Sequence, residues 1–183
     1  MQKSRRDVIQ ILAAAGAVGF VGIPATKAMG KVAGFSPEPW FASSTGDLSK
    51  DLAAAAGAGK YLALLWEQKG CHYCGELHAV NFKTPEIIDV GKKHFHTLQM
   101  DLWGARKFKD FDGEEKSEAA IAKSKFVRAT PVILFYDSKG TEVFRMPGYA
   151  PPPLQHAVYV FVAEGAYKAK SFSAWMEEKQ PGG

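Results

Sequence analysis

The sequence predicts an α/β domain with a central mixed β-sheet flanked by helices, preceded by an export signal. Three observations carry that prediction. Short apolar runs alternate with helical stretches between residues 45 and 136, the order that produces parallel strands joined by helical crossovers. The last two apolar runs, VILFY and TEVFRM, are separated only by Asp137-Ser138-Lys139-Gly140, so they close an antiparallel hairpin. The opening, MQKSRRDVIQILAAAGAVGFVGIPATKAMG, has a charged start, an apolar run from Val8 to Ile23, and then small residues, which is signal-peptide layout.

The elements follow in order. Ser4-Arg5-Arg6-Asp7-Val8-Ile9-Gln10 resembles the twin-arginine (Tat) export motif, and Thr26-Lys27-Ala28 sets cleavage after Ala28. Residues 29–44 are rich in Gly, Pro and Ser and read as a linker or irregular lead-in, leaving 45–183 as the domain. Asp47–Ala58 reads as an Ala-rich helix capped by Asp47. Lys60–Trp66 is a buried strand, and Gly75–Lys83 a helix with Leu77, Val80 and Phe82 inward. Thr84-Pro85-Glu86 starts another helix, which runs to about Lys93. Phe95–Leu102 alternates as a second strand. Trp103–Gly113 is polar, aromatic and turn-rich, an expected loop or insertion, and Glu114–Phe126 an expected helix with a solvated Glu114-Glu115-Lys116 start. After the hairpin, Leu154–Tyr167 forms the final helix, and Phe172–Lys179 extends it or caps the domain.

With 183 residues the chain suffices for one compact domain, and 46% hydrophobic with 23% charged residues excludes a disordered or fibrous chain. The formal charge of +4 is concentrated at the start. Lys3, Arg5, Arg6 and Lys27 against Asp7 leave +3 in the first 28 residues and +1 in the rest. A nearly neutral body argues against nucleic acid as a partner.

The chemistry lies in Trp66–Leu77, WEQKGCHYCGEL, which holds both cysteines of the chain. Cys71 and Cys74 sit between a strand and a helix. The helix N-terminus stabilises a thiolate at Cys71, which makes it the better nucleophile. Cys74, one turn on, can attack a mixed disulfide at Cys71 and release the partner reduced. An inert staple would gain little from closing so small a loop. A metal site would draw on Cys71, His72, Cys74 and His78, but no second C-x-x-C or H-x-x-H follows; soft thiolates in an oxidising compartment would suit Cu(I). Haem attachment fails because Gly75 follows the motif. Trp66 reads as core, Tyr73 as a partner-contact or tuning residue, and Trp103 equally as recognition patch or core cover.

With the strand YLALLW, the motif Cys71-His72-Tyr73-Cys74 and Thr130-Pro131 before VILFY, the body resembles a thioredoxin-like protein over roughly residues 45–170. Within that superfamily, W-E-Q-x-G-C-x-Y-C, E-L-H-x-V-N-F-x-x-P-E-I and D-L-W-G…D-F-D-G resemble the periplasmic thioredoxins of bacterial sulfur-oxidation (Sox) gene clusters, the SoxW type. The resemblance implies a thioredoxin-like fold, a cis bond before Pro131, and a loop in which Thr130 offers backbone hydrogen bonds to a docked cysteine segment. It also implies a reductive role in the periplasm: a membrane thiol-disulfide transporter as electron donor, cysteine-containing clients as acceptors, no organic cofactor and no resident metal; a monomer is the default expectation. The chain departs from the family in two places. The buried acid six residues before the first cysteine is Leu65 here, with Glu67 nearby as a substitute, and His72 and Tyr73 replace the usual intervening pair. A protonated His72 would stabilise the thiolate and favour use as an oxidant, so the residues alone leave the direction of electron flow open. An oxidant, a cytochrome c maturation thioredoxin and a Cu(I) carrier remain the alternatives.

Overall fold

A computed structural model describes residues 31–179. The expected export signal, its twin-arginine motif and its cleavage point lie outside the described residues. No helix among the described residues is long and apolar enough to cross a membrane.

Helix α1 (Leu48–Gly57) is followed by strand β1 (Tyr61–Glu67), helix α2 (His72–Ala79), a 3₁₀ turn at Asn81–Lys83, α3 (Pro85–His94) and β2 (Phe95–Asp101). Two short strands, β3 (Lys107–Lys109) and β4 (Glu115–Ser117), precede α4 (Glu118–Ser124). Strands β5 (Val132–Tyr136) and β6 (Glu142–Pro147) lead to α5 (Pro152–Ala163), a 3₁₀ turn at Ala166–Lys168, and α6 (Phe172–Lys179). The main sheet has the order β2-β1-β5-β6; β1 runs parallel to β2 and antiparallel to β5, and β5 and β6 are antiparallel. The sheet is therefore mixed, as the sequence predicts.

Strand β1 explains the two-layer packing. Ala63 and Leu65 enter one cluster with Leu77, Ile87, Phe135, Val158 and Phe161, the side covered by α2, α3 and α5. Leu62, Leu64 and Trp66 enter the other, with Leu48, Ile121 and Leu134, the side covered by α1 and α4. A strand buried on both faces needs a continuous apolar run, which YLALLW supplies. Strand β2 departs from the expected alternation for the same reason: Leu98, Gln99 and Met100 are all buried.

Four further differences have local causes. The segment expected as a helix from Glu114 begins as β4, paired with β3 through Lys107–Ser117, Phe108–Lys116 and Lys109–Glu115. The helix starts only where Ser117 can cap it, its hydroxyl accepting the Ala120 N–H at 3.2 Å. Lys116 is accordingly no helix-start residue; it pairs with Asp110, Asp112 and Glu114 across this hairpin. Val80, expected inward, is exposed because α2 ends at Ala79 and the chain tightens into the 3₁₀ turn that buries Phe82. The last long helix stops at Ala163, and Gly165 in the left-handed region starts a separate turn. Finally, residues 31–44 are irregular but not a free linker. Phe41 is in the core, Trp40 packs edge-on to Phe41 and Phe82, and the Ala42 N–H donates to Thr97 O at 2.8 Å. Four large side chains, Val32, Phe35, Trp40 and Phe41, anchor a segment whose Gly and Pro content suggested a spacer.

Candidate active site at the Cys71–Cys74 pair

Strand β1, an inner strand, ends at Glu67, and Gln68-Lys69-Gly70 turns the chain into α2. Gly70 sits at φ +78°, where a side chain would be strained. Cys71 is the N-cap of α2. It is bonded to Cys74 in a disulfide with Cα atoms 5.3 Å apart, and its sulfur accepts the Cys74 N–H at 3.1 Å. Cys71 is partly exposed, whereas Cys74 is fully buried. Only Cys71 offers its sulfur to a partner.

The second wall is the loop before β5. The Thr130–Pro131 peptide is cis, and Thr130 O lies 3.6 Å from the Cys71 sulfur, in reach of a thiol S–H once the pair is reduced. Pro131 O accepts the Gly148 N–H at 2.8 Å, which ties this loop to the loop after β6. That loop carries Tyr149, whose ring stacks on Tyr73 at 5.6 Å and 19°. Tyr73 is 56% exposed in spite of this stack. His72 is exposed and lies edge-on to Tyr73 at 5.4 Å.

Beneath α2 lies a cluster of buried ionisable groups. Leu65 and Glu67 point to the same face of β1, but only Glu67 is polar, and it is fully buried. Its Oε1 meets His78 Nε2 at 2.9 Å, and its Oε2 accepts from Gln99 Nε2 at 2.6 Å. His78 Nδ1 meets Glu38 Oε1 at 2.8 Å, and Glu38 Oε2 pairs with Lys83 Nζ at 2.6 Å. Phe35 stacks on the imidazole at 5.1 Å and 8°. Burial opposes charge on His78, but the hydrogen bonds and charges of Glu67 and then Glu38 outweigh it and raise its pKa above 6.5. The doubly protonated ring donates to both carboxylates, which neutral imidazole cannot do.

Cys71, Cys74, Thr130 and Pro131 are thus brought together, with His72 and Tyr73 on the open side. Glu67 sits behind the pair, held by His78. Both nitrogens of His78 are taken up by carboxylates, so His78 has none left to join the sulfurs around a metal. Among the described residues no group of three or more His, Cys, Asp and Glu is placed to hold a metal ion. Sequence reasoning missed Glu38, Tyr149 and the role of His78. The i,i+4 spacing of Cys74 and His78 was the available signal for His78. Nothing local marks Glu38 or Tyr149.

A family model described as the thioredoxin-like domain matches residues 48–163. No curated protein matches the chain. Among solved structures, a thioredoxin-fold protein from Helicobacter pylori is similar at 22% identity and TM-score 0.62, covering 76% of this chain and 92% of its own. A candidate disulphide-isomerase from Bacteroides thetaiotaomicron aligns at 26% identity and TM-score 0.52, over 68% of this chain and 91% of its own. A thioredoxin from Thermus thermophilus aligns at 18% identity and TM-score 0.52, over 66% and 88%.

Proposed function

The chain belongs to the thioredoxin-like family and with its Cys71–Cys74 pair is a thiol–disulfide oxidoreductase; from that premise we propose that it reduces disulfides of cysteine-containing client proteins in the periplasm. One observation carries this reading: a partly exposed sulfur at a helix N-terminus lies against the Thr130 carbonyl of a cis-proline loop, with a buried second sulfur one turn behind it.

The steps follow from that asymmetry. In the reduced pair the Cys71 thiolate, favoured by the helix terminus, attacks one sulfur of a client disulfide. The client S–S bond breaks, a Cys71–client disulfide forms, and the departing client thiolate takes a proton. The client segment lies along the Thr130-Pro131 loop, whose backbone hydrogen bonds hold it extended. Cys74 then loses its proton and attacks the Cys71 sulfur. The second client thiol leaves, and the Cys71–Cys74 disulfide is restored. The client gains two electrons and two protons. A dithiol donor, proposed here as a membrane thiol-disulfide transporter, returns them to the pair.

The likeness of W-E-Q-x-G-C-x-Y-C and the D-L-W-G…D-F-D-G insertion to the SoxW type supports a client within bacterial sulfur oxidation, and the resemblance of the first residues to a twin-arginine signal supports export. The reduction potential of the pair in the full chain, measured against glutathione and dithiothreitol buffers, tests the direction of electron flow. A value near about −270 mV is expected. A value near about −120 mV would make the protein an oxidant of its clients instead.

A further inference from the structure

Cys71 also lines a cavity of about 620 Å³ that the exchange steps above do not use, and neither Thr130 nor Pro131 contributes to its walls. One wall is α2 and the turn before it, with Lys69, Cys71, Gly75 and Glu76. The other is Ala33, Gly34 and Phe35 of the lead-in, which precedes the family domain. A space of this size suits a small ligand.

The lead-in wall is fixed in place. Val32 and Phe35 exchange two backbone hydrogen bonds, each 2.9 Å, around Ala33 and Gly34, whose φ values are 53° and 88°. Both central residues of such a turn need the left-handed region, and Ala33 adopts it although it carries a Cβ. The turn is seated: Val32 and Ala33 are buried, and a Cβ on Gly34 would stand 3.6 Å from Lys69 Cγ. The Phe35 ring stacks on His78, and its edge reaches Gly75, where a Cβ would stand 4.0 Å from Cε1. Gly75 and Phe35 thus give the cavity an apolar floor beside the Cys71 sulfur.

Charge says what the cavity takes. Lys69 is exposed and Glu76 half-buried, and among the described residues neither side chain has a hydrogen bond or an ion pair. A cation and an anion, both unpaired, line one cavity with the reactive sulfur. A ligand that satisfies both carries a carboxylate and an ammonium group a few bonds from its own sulfur.

We propose that this cavity binds a small amino-acid disulfide of the cystine class, with its carboxylate on Lys69, its ammonium on Glu76, its methylene on Phe35 and Gly75, and its sulfur toward Cys71. The proposal rests on the thiol–disulfide reading and adds a substrate class to it. The Cys71 thiolate attacks the near sulfur, the ligand S–S bond breaks, and one cysteine leaves and takes a proton. Cys74 then loses its proton and attacks the Cys71 sulfur, and the second cysteine leaves and is protonated in turn. One disulfide becomes two thiols, and the reduced pair, which supplied both electrons, is left oxidised.

The test compares cystine with hydroxyethyl disulfide, which lacks both charged groups. Both are neutral overall at pH 7, so the long-range field of the protein favours neither. The pre-reduced full chain is mixed with each. The second-order rate constant of its oxidation is divided by that of reduced dithiothreitol with the same disulfide, which removes intrinsic reactivity. The corrected rate with cystine is expected to be about tenfold the other. Lys69→Glu and Glu76→Lys, made separately, should each lower that ratio several-fold, although they change the net charge in opposite directions. The ratio is read within each variant, so a general loss of activity does not imitate the effect. Equal corrected rates in the parent chain, a ratio that neither variant moves, or one that the two variants move in opposite directions would overturn the site and leave the redox reading standing. A peptide whose single cysteine is capped by free cysteine, if its corrected rate exceeds that of cystine, would assign the cavity to a protein-bound cap and overturn the free disulfide as its ligand. Reaction with dithiodipyridine but with neither of the first two disulfides would overturn this substrate class and the reductive direction together. No reaction with any of them would remove the thiol–disulfide reading itself.

Discussion

Cys71 and Cys74 are three residues apart, yet the fold gives them opposite surroundings. The N-cap position leaves Cys71 accessible and surrounds its sulfur with the unpaired N–H groups of the first helical turn, while Cys74 is turned into the core. A division of labour follows that can be read in covalent products. Cys74→Ser should accumulate a mixed disulfide between Cys71 and a client, because the resolving attack is missing. Cys71→Ser should accumulate none, because the remaining thiol is buried. Mass spectrometry of trapped adducts from both variants checks this; adducts on Cys74 in the second variant would reverse the assignment. The pair was legible in the sequence because strand, C-x-x-C and helix adjoin along the chain. Glu38 was not, since a single glutamate in a Gly- and Pro-rich stretch looks solvated, and only the fold sets it against His78, 40 residues away. Tyr149 was hidden for the same reason: its ring meets that of Tyr73 only in the fold, across 76 residues of chain.

At the scale of elements, the strands of the main sheet were legible because β1 and β5 are compact apolar runs and β2 and β6 mix apolar with polar residues over a strand's length, and VILFY appears as strand β5 without a shifted boundary. The β3–β4 hairpin was not, because its three-residue strands are mostly charged and carry no periodicity to read. Its register comes instead from backbone pairing and from the ion pair of Lys116 with Asp110 at 3.4 Å, while Lys125 from the end of α4 holds Asp110 at 3.0 Å. The lead-in depends on an equally non-local contact. Gly91 on α3 lies flat against Trp40, and a Cβ at this position would come within 2.7 and 2.9 Å of two Trp40 ring atoms. The Gly91→Ala variant should therefore lose about 1–3 kcal/mol through overpacking. Urea unfolding followed by tryptophan fluorescence measures the loss. Gly57, at the end of α1, has nothing within 4 Å of the same hypothetical atom. Gly57→Ala should therefore gain about 0.4–1 kcal/mol by restricting the unfolded chain. An unchanged Gly91→Ala variant would mean that the lead-in yields easily and is not seated as described.

For the whole molecule, the lead-in, α2 and β1 are joined through one imidazole, and this makes their union depend on pH. His78 is faced by Glu67 from β1, by Glu38 from the lead-in, and by the rings of Phe35, Phe41 and Phe82; Lys83 reaches it only through Glu38. Its folded-state pKa is raised above 6.5, so the folded protein holds this proton more tightly than the unfolded chain does. The stability it contributes is complete below pH 6.5 and is lost as pH rises through the folded-state pKa. His94 and His96 act in the opposite sense. Burial is the first cause lowering both values, so each costs stability as pH falls below 6.5. The raw stability profile therefore mixes signs, and the informative quantity is the difference between the parent chain and His78→Gln, which leaves the other two histidines in place. Near pH 6 that difference should be large, on the order of 3 kcal/mol, because glutamine cannot supply charge to two buried carboxylates. It should shrink steadily toward pH 9, as the parent chain loses the same proton. Urea midpoints at half-unit pH steps give the curve. A difference that stays flat or widens with pH would mean that His78 holds the lead-in as a neutral hydrogen-bonding ring, and that the charge assigned to it here is not what joins the three elements.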